Sequence, residues 1–387
     1  MNQKEKNILL SVPNISGNEL KYVKECLETG WISSAGSYVD KFEQMVANYA
    51  GAKYGVATMN GTSALHIALL LAGVQPNDYV IVSNITFVAS ANSIKYTGAD
   101  PILIDADSKT WQMDLDILDE FLETKTSINS DGERILISDG RRVKTIMPVH
   151  IQGNIFDVDR FKVICKKFNM SFVEDAAEAL GSKFKGQSAG TFGKLGVFSF
   201  NGNKIISTGG GGVIVTNNKS LAQKAKHLTT TAKIDPMVYY HDQVGYNYRL
   251  VNVLAAIGVA QVEQLSTFLN KKQFIGNYYR EKLSDVGDIE FQHVNTKVNH
   301  NDWLFTIKTK FQKELLKYLN ANKVMSRPFW MPMNQLPMYK DCHYITQTDN
   351  CKTIHDSCLS IPCSTNITED ELEKVVKTIK IFFKKCI

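Results

Sequence analysis

Apolar residues along the first two thirds of the chain follow two alternating rhythms. Leu20, Val23 and Leu27 fall on one helical face, with Ser16 and Glu19 at capping-box spacing before them and Gly30 as a stop. After a turn over Trp31–Gly36, Phe42, Val46 and Ala50 mark a second helix. Short, continuous apolar runs then alternate with helical patterns. Strands are expected over 54–58, 78–82, 101–105, 143–149 and 171–173, and helices over 64–71, 87–96, 116–122 and 157–168. Apolar strands separated by helices indicate an α/β fold with a mostly parallel sheet covered on both faces.

Residues 126–142 break the rhythm with a polar stretch around Ser130-Asp131-Gly132, read as a surface insertion. Beyond Thr216 the pattern changes. Helices are expected over 219–228 and 252–269, the latter running on towards Arg280, then a strand over 303–308 and a helix over 313–322. A last helix is opened by Thr368 and Glu371 and places Leu372, Val375, Val376, Ile379 and Phe383 on one face. The division expected is a large domain over 1–255, then a long connecting helix and a small α+β domain over 256–387.

Composition narrows the function classes. Apolar residues at 44% and charged residues at 21% of 387 are ordinary globular material. A formal charge of +5 suits an anionic small substrate, without the clustered basic runs of a nucleic-acid binder. No apolar run is long enough to span a bilayer, and seven scattered cysteines fit reduced thiols. The expectation is a soluble cytoplasmic protein with no nucleic-acid or membrane partner. Cys342, His343, Cys351, His355, Cys358 and Cys363 lack tight CxxC spacing, so no metal is expected.

The candidate chemistry centres on Lys204, delivered by the apolar stretch 195–200 and followed by four glycines, Gly209 to Gly212. A lysine in such surroundings either reaches for solvent or is used as an amine, because a buried ammonium is costly. Asn60-Gly61-Thr62-Ser63, at a strand-to-helix junction, is a plain N-cap or a phosphate cradle with Thr62 and Ser63 facing outward. His66, among apolar neighbours, reads as a core histidine. Phe87, at the carboxyl end of a strand, is core or stacks on a flat ligand. Asp175, in Glu174-Asp175-Ala176-Ala177-Glu178, pairs structurally or with a ligand cation. Gly245-Tyr246-Asn247-Tyr248-Arg249 is a loop or supplies anion contacts through Asn247 and Arg249. A phosphate cradle, a stacking ring, a carboxylate for a pyridinium nitrogen and an amine together are the parts that pyridoxal 5′-phosphate (PLP) requires.

With those stretches, and with Pro101–Asp105 and Ser199–Lys204, the chain from about Asn14 to the last helix resembles the DegT/DnrJ/EryC1/StrS family of sugar aminotransferases. The resemblance implies the aspartate-aminotransferase fold (PLP fold type I). It makes Lys204 the Schiff-base lysine, Asp175 the pyridinium partner and Phe87 the stacking ring, with Gly61, Thr62, Ser63 and Ser199 around the phosphate. Asn247 would cross to the partner of a homodimer with shared sites. Arg249, His150 and Gln152 would face the substrate. Glu178 stands where relatives carry Gln or His near the cofactor hydroxyl, and His150-Ile151-Gln152-Gly153-Asn154 replaces His-Leu-Tyr-Gly. A carboxylate there accepts hydrogen bonds only, unless protonated.

Both departures resemble the subgroup that aminates C4 of a UDP-linked 4-keto-6-deoxy-N-acetylhexosamine, as in legionaminic and bacillosamine-type cell-surface glycan pathways. L-Glutamate is the implied amino donor. The alternatives are a GDP-4-keto-6-deoxymannose aminotransferase of the perosamine synthase type and, outside enzymes, a regulator of the same fold. The 3-dehydratases of the family carry histidine in place of the lysine and are set aside because Lys204 is present. Substrate selectivity is expected from loops including 126–142 and 234–242.

Overall fold

The computed structural model describes residues 7–235 and 237–386. Helices α1 (Glu19–Thr29) and α2 (Ser37–Ala50) precede β1 (Tyr54–Thr58), α3 (Gly61–Leu71), β2 (Tyr79–Ser83), α4 (Ala89–Tyr96) and β3 (Asp100–Ile104). Strands β4 (Val143–Met147), β5 (Ser171–Asp175), β6 (Leu195–Ser199) and β7 (Gly212–Thr216) follow, and β8 (Tyr344–Ile345) returns from far along the chain. They form one sheet in the order β1-β7-β6-β5-β4-β2-β3-β8. Within it β7 runs antiparallel to β1 and β6, while the remaining pairings are parallel.

Burial on both faces explains the continuous apolar runs. In β2, Tyr79 and Ile81 pack into one apolar cluster and Val80 and Val82 into another on the opposite face. Strand β7 divides Val213 and Val215 from Ile214 in the same way. With no face in water, no polar alternation marks these strands. A second, antiparallel sheet is built late in the chain from 290–291, 305–308, 327–328 and 358–361. Among the described residues no helix is long and apolar enough to cross a membrane.

Several boundaries differ from expectation for identifiable reasons. Ser16 does not cap α1: its hydroxyl donates to Gln264 Oε1 at 3.0 Å, while Glu19 Oε2 still accepts from the Gly17 amide at 2.8 Å. The helix buries Cys26 and leaves Leu20 and Leu27, expected on its apolar face, exposed. The capping box at Thr368 and Glu371 does form, with both reciprocal bonds in place. The long helix steps at Gln264 into two, Asn252–Glu263 and Leu265–Leu283. Helix α4 begins two residues after Phe87, which leaves that ring in a turn, and β5 runs on to include both carboxylates.

The insertion over 126–142 is a hairpin whose end holds the sheet. Arg141 Nη2 meets Asp100 Oδ2 at 2.6 Å and Arg142 Nη2 meets Asp78 Oδ2 at 2.7 Å. Those carboxylates stand at the amino ends of β3 and β2, away from the edge where open α/β sheets bind ligands. The expected role of this insertion in substrate choice is therefore withdrawn.

Glu174 shows how a buried charge is tolerated inside a strand. Its two oxygens accept from the amides of Gly190 (2.8 Å) and Gly193 (2.7 Å), and His150 Nε2 lies 3.0 Å away. The loop around Gly190 can come this close because β6 has glycine beside it: a Cβ on Gly196 would stand 2.1 Å from Gly190 O. Gly196→Ala should therefore cost about 1–3 kcal/mol by overpacking, read as a lower urea midpoint. Gly202→Ala, where a Cβ meets no atom within 4 Å, should leave the midpoint unchanged.

Candidate active site

The carboxyl ends of the parallel strands open onto a cavity of about 630 Å³. Its sheet-side wall comes from the turns after β1 (Gly61, Thr62), β2 (Thr86, Phe87, Ser90), β4 (Gln152), β5 (Asp175, Glu178) and β6 (Ser199, Lys204). The facing wall comes from late in the chain, with Trp303, Arg327 and Trp330.

Lys204 reaches into this space with its side chain 12% exposed. Its Nζ sits 3.9 Å from the ring centroid of Trp303 and 4.0 Å from Glu178 Oε1. Trp303 is fixed by its own Nε1–H, which donates to Asn203 O at 2.8 Å. Burial pushes the ammonium below the ordinary lysine range, against the pull of Glu178 and Asp175. Glu178 Oε2 accepts from the Gln152 amide at 2.8 Å, with Gln152 held at φ 60°. Burial raises the Glu178 carboxyl to about 7, opposed by the lysine.

Asp175 is buried, accepting from Ser90 Oγ at 2.7 Å and from the Ala177 amide at 3.1 Å. Burial raises this carboxyl too. Its hydrogen-bond partners are both neutral, so a positive charge arriving in the cavity would find a ready counterion. At the start of α3 the Asn60 side chain takes the Ser63 amide at 2.8 Å. That leaves the first-turn amides of Gly61 and Thr62, which have no acceptor within the helix, on the cavity wall beside Ser199.

The glycine run gives room to this same corner. A Cβ on Gly212 would lie 2.6 Å from Asn60 O, so β7 presses its bare backbone against the turn that holds the helix start. The run carries strand β7, which the apolar Val213-Ile214-Val215 signals in the sequence.

Of the expected site residues, Gly61, Thr62, Phe87, Gln152, Asp175, Glu178, Ser199 and Lys204 line the cavity. Ser63 lies behind it. His150 is fully buried, stacked on Phe156 and turned to Glu174. Arg249 is committed to Glu43 by a short, buried ion pair. Asn247 is exposed outside this chain's own cavity. His66 is a core histidine, although its Nε2 has no partner in the interior. Ser90, Trp303 and Arg327 escaped the sequence reading. Ser90 is a helix residue seven positions past the end of β2, and Trp303 and Arg327 lie 99 and 123 residues beyond Lys204.

A buried carboxylate with neutral partners, an amine whose proton affinity is lowered by burial and a helix start facing the cavity match the three charged or reactive ends of PLP. Because burial lifts the Glu178 pKa from 4.5 to about 7, ionising it costs more in the fold than in the unfolded chain. The stability associated with its neutral form is present below about pH 4.5 and is lost as pH rises through about 7. Glu178→Gln, neutral throughout, should thus gain stability on the wild type across that window. Thermal midpoints at its two ends check this, and an unchanging difference would contradict the assignment.

Residues 13–380 match the DegT/DnrJ/EryC1/StrS aminotransferase family. A GDP-perosamine synthase of Escherichia coli O157:H7 is 39% identical over 332 residues, 85% of this chain and 86% of that one. A UDP-4-amino-4,6-dideoxy-N-acetyl-beta-L-altrosamine transaminase of Campylobacter jejuni is 27% identical over 388 residues, 98% of each. Helicobacter pylori PseC, an aminotransferase involved in the biosynthesis of pseudoaminic acid, superposes with a TM-score of 0.87 at 23% identity, covering 98% of this chain and 100% of that one.

Proposed function

The chain belongs to the DegT/DnrJ/EryC1/StrS aminotransferase family of PLP-dependent enzymes, and we propose that it transfers the amino group of L-glutamate to C4 of a GDP-linked 4-keto-6-deoxyhexose such as GDP-4-keto-6-deoxymannose. The observation that carries this reading is the buried Lys204, set between Glu178 and the Trp303 ring with Asp175 on the same cavity wall. The GDP-linked substrate takes precedence over the UDP-linked N-acetylhexosamine expected from Glu178 and His150–Asn154. Those two features touch each other through the Gln152 amide, and His150 faces away from the cavity, so they report on the surroundings of the lysine and not on the nucleotide. The higher identity to a GDP-perosamine synthase than to a UDP-sugar transaminase supports the same order.

Gly61, Thr62 and Ser199 would hold the cofactor phosphate, Phe87 would lie against the ring and Asp175 would pair with its nitrogen. Bound there, the cofactor supplies an electron sink for the pair left when a proton leaves the carbon bearing the amine. Lys204 removes and returns that proton at Nζ, and a burial-lowered affinity for protons favours the neutral amine that the removal needs. Glu178, with its own pKa displaced towards neutrality, lies close enough to adjust its charge to that of the lysine. Trp303 keeps Nζ in place from the other side and excludes water from it.

We further propose a homodimer in which Asn247 serves the partner's site. Leu20 and Leu27 on α1, and Met237, Val238, Tyr239, Tyr240 and Val244 near Asn247, are exposed. An apolar surface of this kind, next to a polar side chain outside its own cavity, suits a second copy of the chain.

The substrate reading is tested by supplying L-glutamate with either the GDP- or the UDP-linked 4-keto sugar. A glutamate-dependent 4-amino sugar detected by mass and NMR is expected from the GDP-linked substrate, and from neither with Lys204→Ala. Product from the UDP-linked sugar alone would reverse the nucleotide assignment. Shared sites predict that mixing inactive Lys204→Ala with impaired Asn247→Ala restores activity through hybrid dimers. Failure of hybrids, verified by mass, to recover activity would remove Asn247 from the partner's site.

A further inference from the structure

The charge lining the cavity is unevenly placed. Its carboxylates, Asp175 and Glu178, stand on the sheet side with Lys204, whereas the late-chain wall carries one charged side chain, Arg327. Arg327 belongs to the short strand Arg327–Pro328, held opposite Ser360 and Leu359 in the second sheet, so the base of the side chain is fixed. Its guanidinium differs from the other arginines. Of the seven in the chain, Arg141, Arg142, Arg160, Arg249 and Arg280 each hold a carboxylate. Arg134 donates to Phe168 O and Thr126 Oγ1 and lies over the Phe168 ring. Arg327 is exposed, lines the cavity, and donates from Nη1 to the neighbouring Ser326 O at 3.1 Å.

A guanidinium presents a planar fork of donors that matches an oxyanion with two oxygens. The rest of its wall is mostly apolar or aromatic, with Trp303, Phe329 and Trp330 beside the single hydroxyl of Ser360, so a charge meeting Arg327 is partly withdrawn from water and the contact strengthens. The helix-start amides at Gly61 and Thr62 are the cavity's other anion site, and they are taken by the cofactor phosphate in the reading given above. An incoming substrate that carries its own oxyanion then has Arg327 as its cationic contact on the opposite wall.

We propose that Arg327 is the receptor for the oxyanion of the incoming substrate, either the carboxylate of the amino donor or the diphosphate of the sugar nucleotide. The assignment rests on the transaminase reading. It gives the late-chain wall a part in recognition that is separate from the proton chemistry at Lys204.

The two sources are distinguished by the two half-reactions of the PLP-loaded enzyme. One is the loss of visible absorbance with L-glutamate, the other its return when the aminated enzyme meets the 4-keto sugar nucleotide. Arg327→Gln should raise the half-saturating concentration of one substrate by about 10- to 100-fold, as expected for a lost charge-assisted hydrogen bond, with the limiting rate of that step largely kept. Arg327→Lys should recover part of the loss. An effect confined to glutamate identifies the carboxylate, and one confined to the sugar nucleotide identifies the diphosphate. Unchanged half-saturation in both, in protein with wild-type circular dichroism and melting, overturns the proposal. If the wild type shows no absorbance change with glutamate, the transaminase reading fails on its own. Arg327 is then tested by calorimetric binding of GDP and of glutamate to wild type and Arg327→Gln, and equal affinities for both ligands overturn it.

Discussion

Keeping three ionisable groups in one dry corner is the constraint from which the rest of the site follows. Glu178 and Asp175 are buried and Lys204 is largely so, and each has its proton affinity moved towards the middle of the pH range by burial. Such groups persist in a fold only when other bonds hold them. Here the holders are backbone amides and hydroxyls: the Gln152 and Ala177 amides and the Ser90 hydroxyl. None of these is charged, so they steady the carboxylates without neutralising them, and the mutual attraction of lysine and carboxylate remains available to chemistry.

The parallel sheet makes this possible by geometry. Consecutive strands deliver their carboxyl ends to one edge, and every turn that leaves that edge contributes one or two side chains. A second layer of structure makes the edge rigid. Glu174, one residue before Asp175, accepts two loop amides and faces His150. It anchors the strand end from behind, with Gly196 allowing the loop close approach. His150 therefore belongs to the scaffold. Arg249, paired with Glu43, also ties together elements of the fold.

The late part of the chain completes the cavity with a wall of different character. Trp303 presses on Lys204, and Trp330 stacks near it with ring centroids 6.4 Å apart. The sheet side carries the ionisable groups Lys204, Asp175 and Glu178, and this side carries aromatic rings and one cation. The proton transfer proposed for Lys204 calls for both, because water entering the corner would screen the charges and compete for the proton.

Local pattern was enough to place most strands of the large sheet. A strand buried on both faces is a continuous apolar run, and each turn at its end has its own small polar residues. For the same reason Gly61, Thr62, Asp175, Ser199 and Lys204 could be read: each ends a strand or lies within five residues of its end, where the chemistry is written next to the element that positions it. Arg327, Trp303 and Ser90 could not be read in this way. Their relation to Lys204 is set by how a second sheet and a helix pack against the first, and sequence spacing carries no trace of that distance. Tertiary structure also decided against Arg249 and His150, whose residue types suit an anion or a sugar but whose surroundings bind them to Glu43 and Glu174. The sequence by itself determined a mostly parallel α/β sheet with a lysine set just past a strand end, because periodicity and strand-end turns are local properties. Only the folded chain decided which charges face the cavity and which are consumed within it, because pairing depends on contacts between residues far apart in sequence.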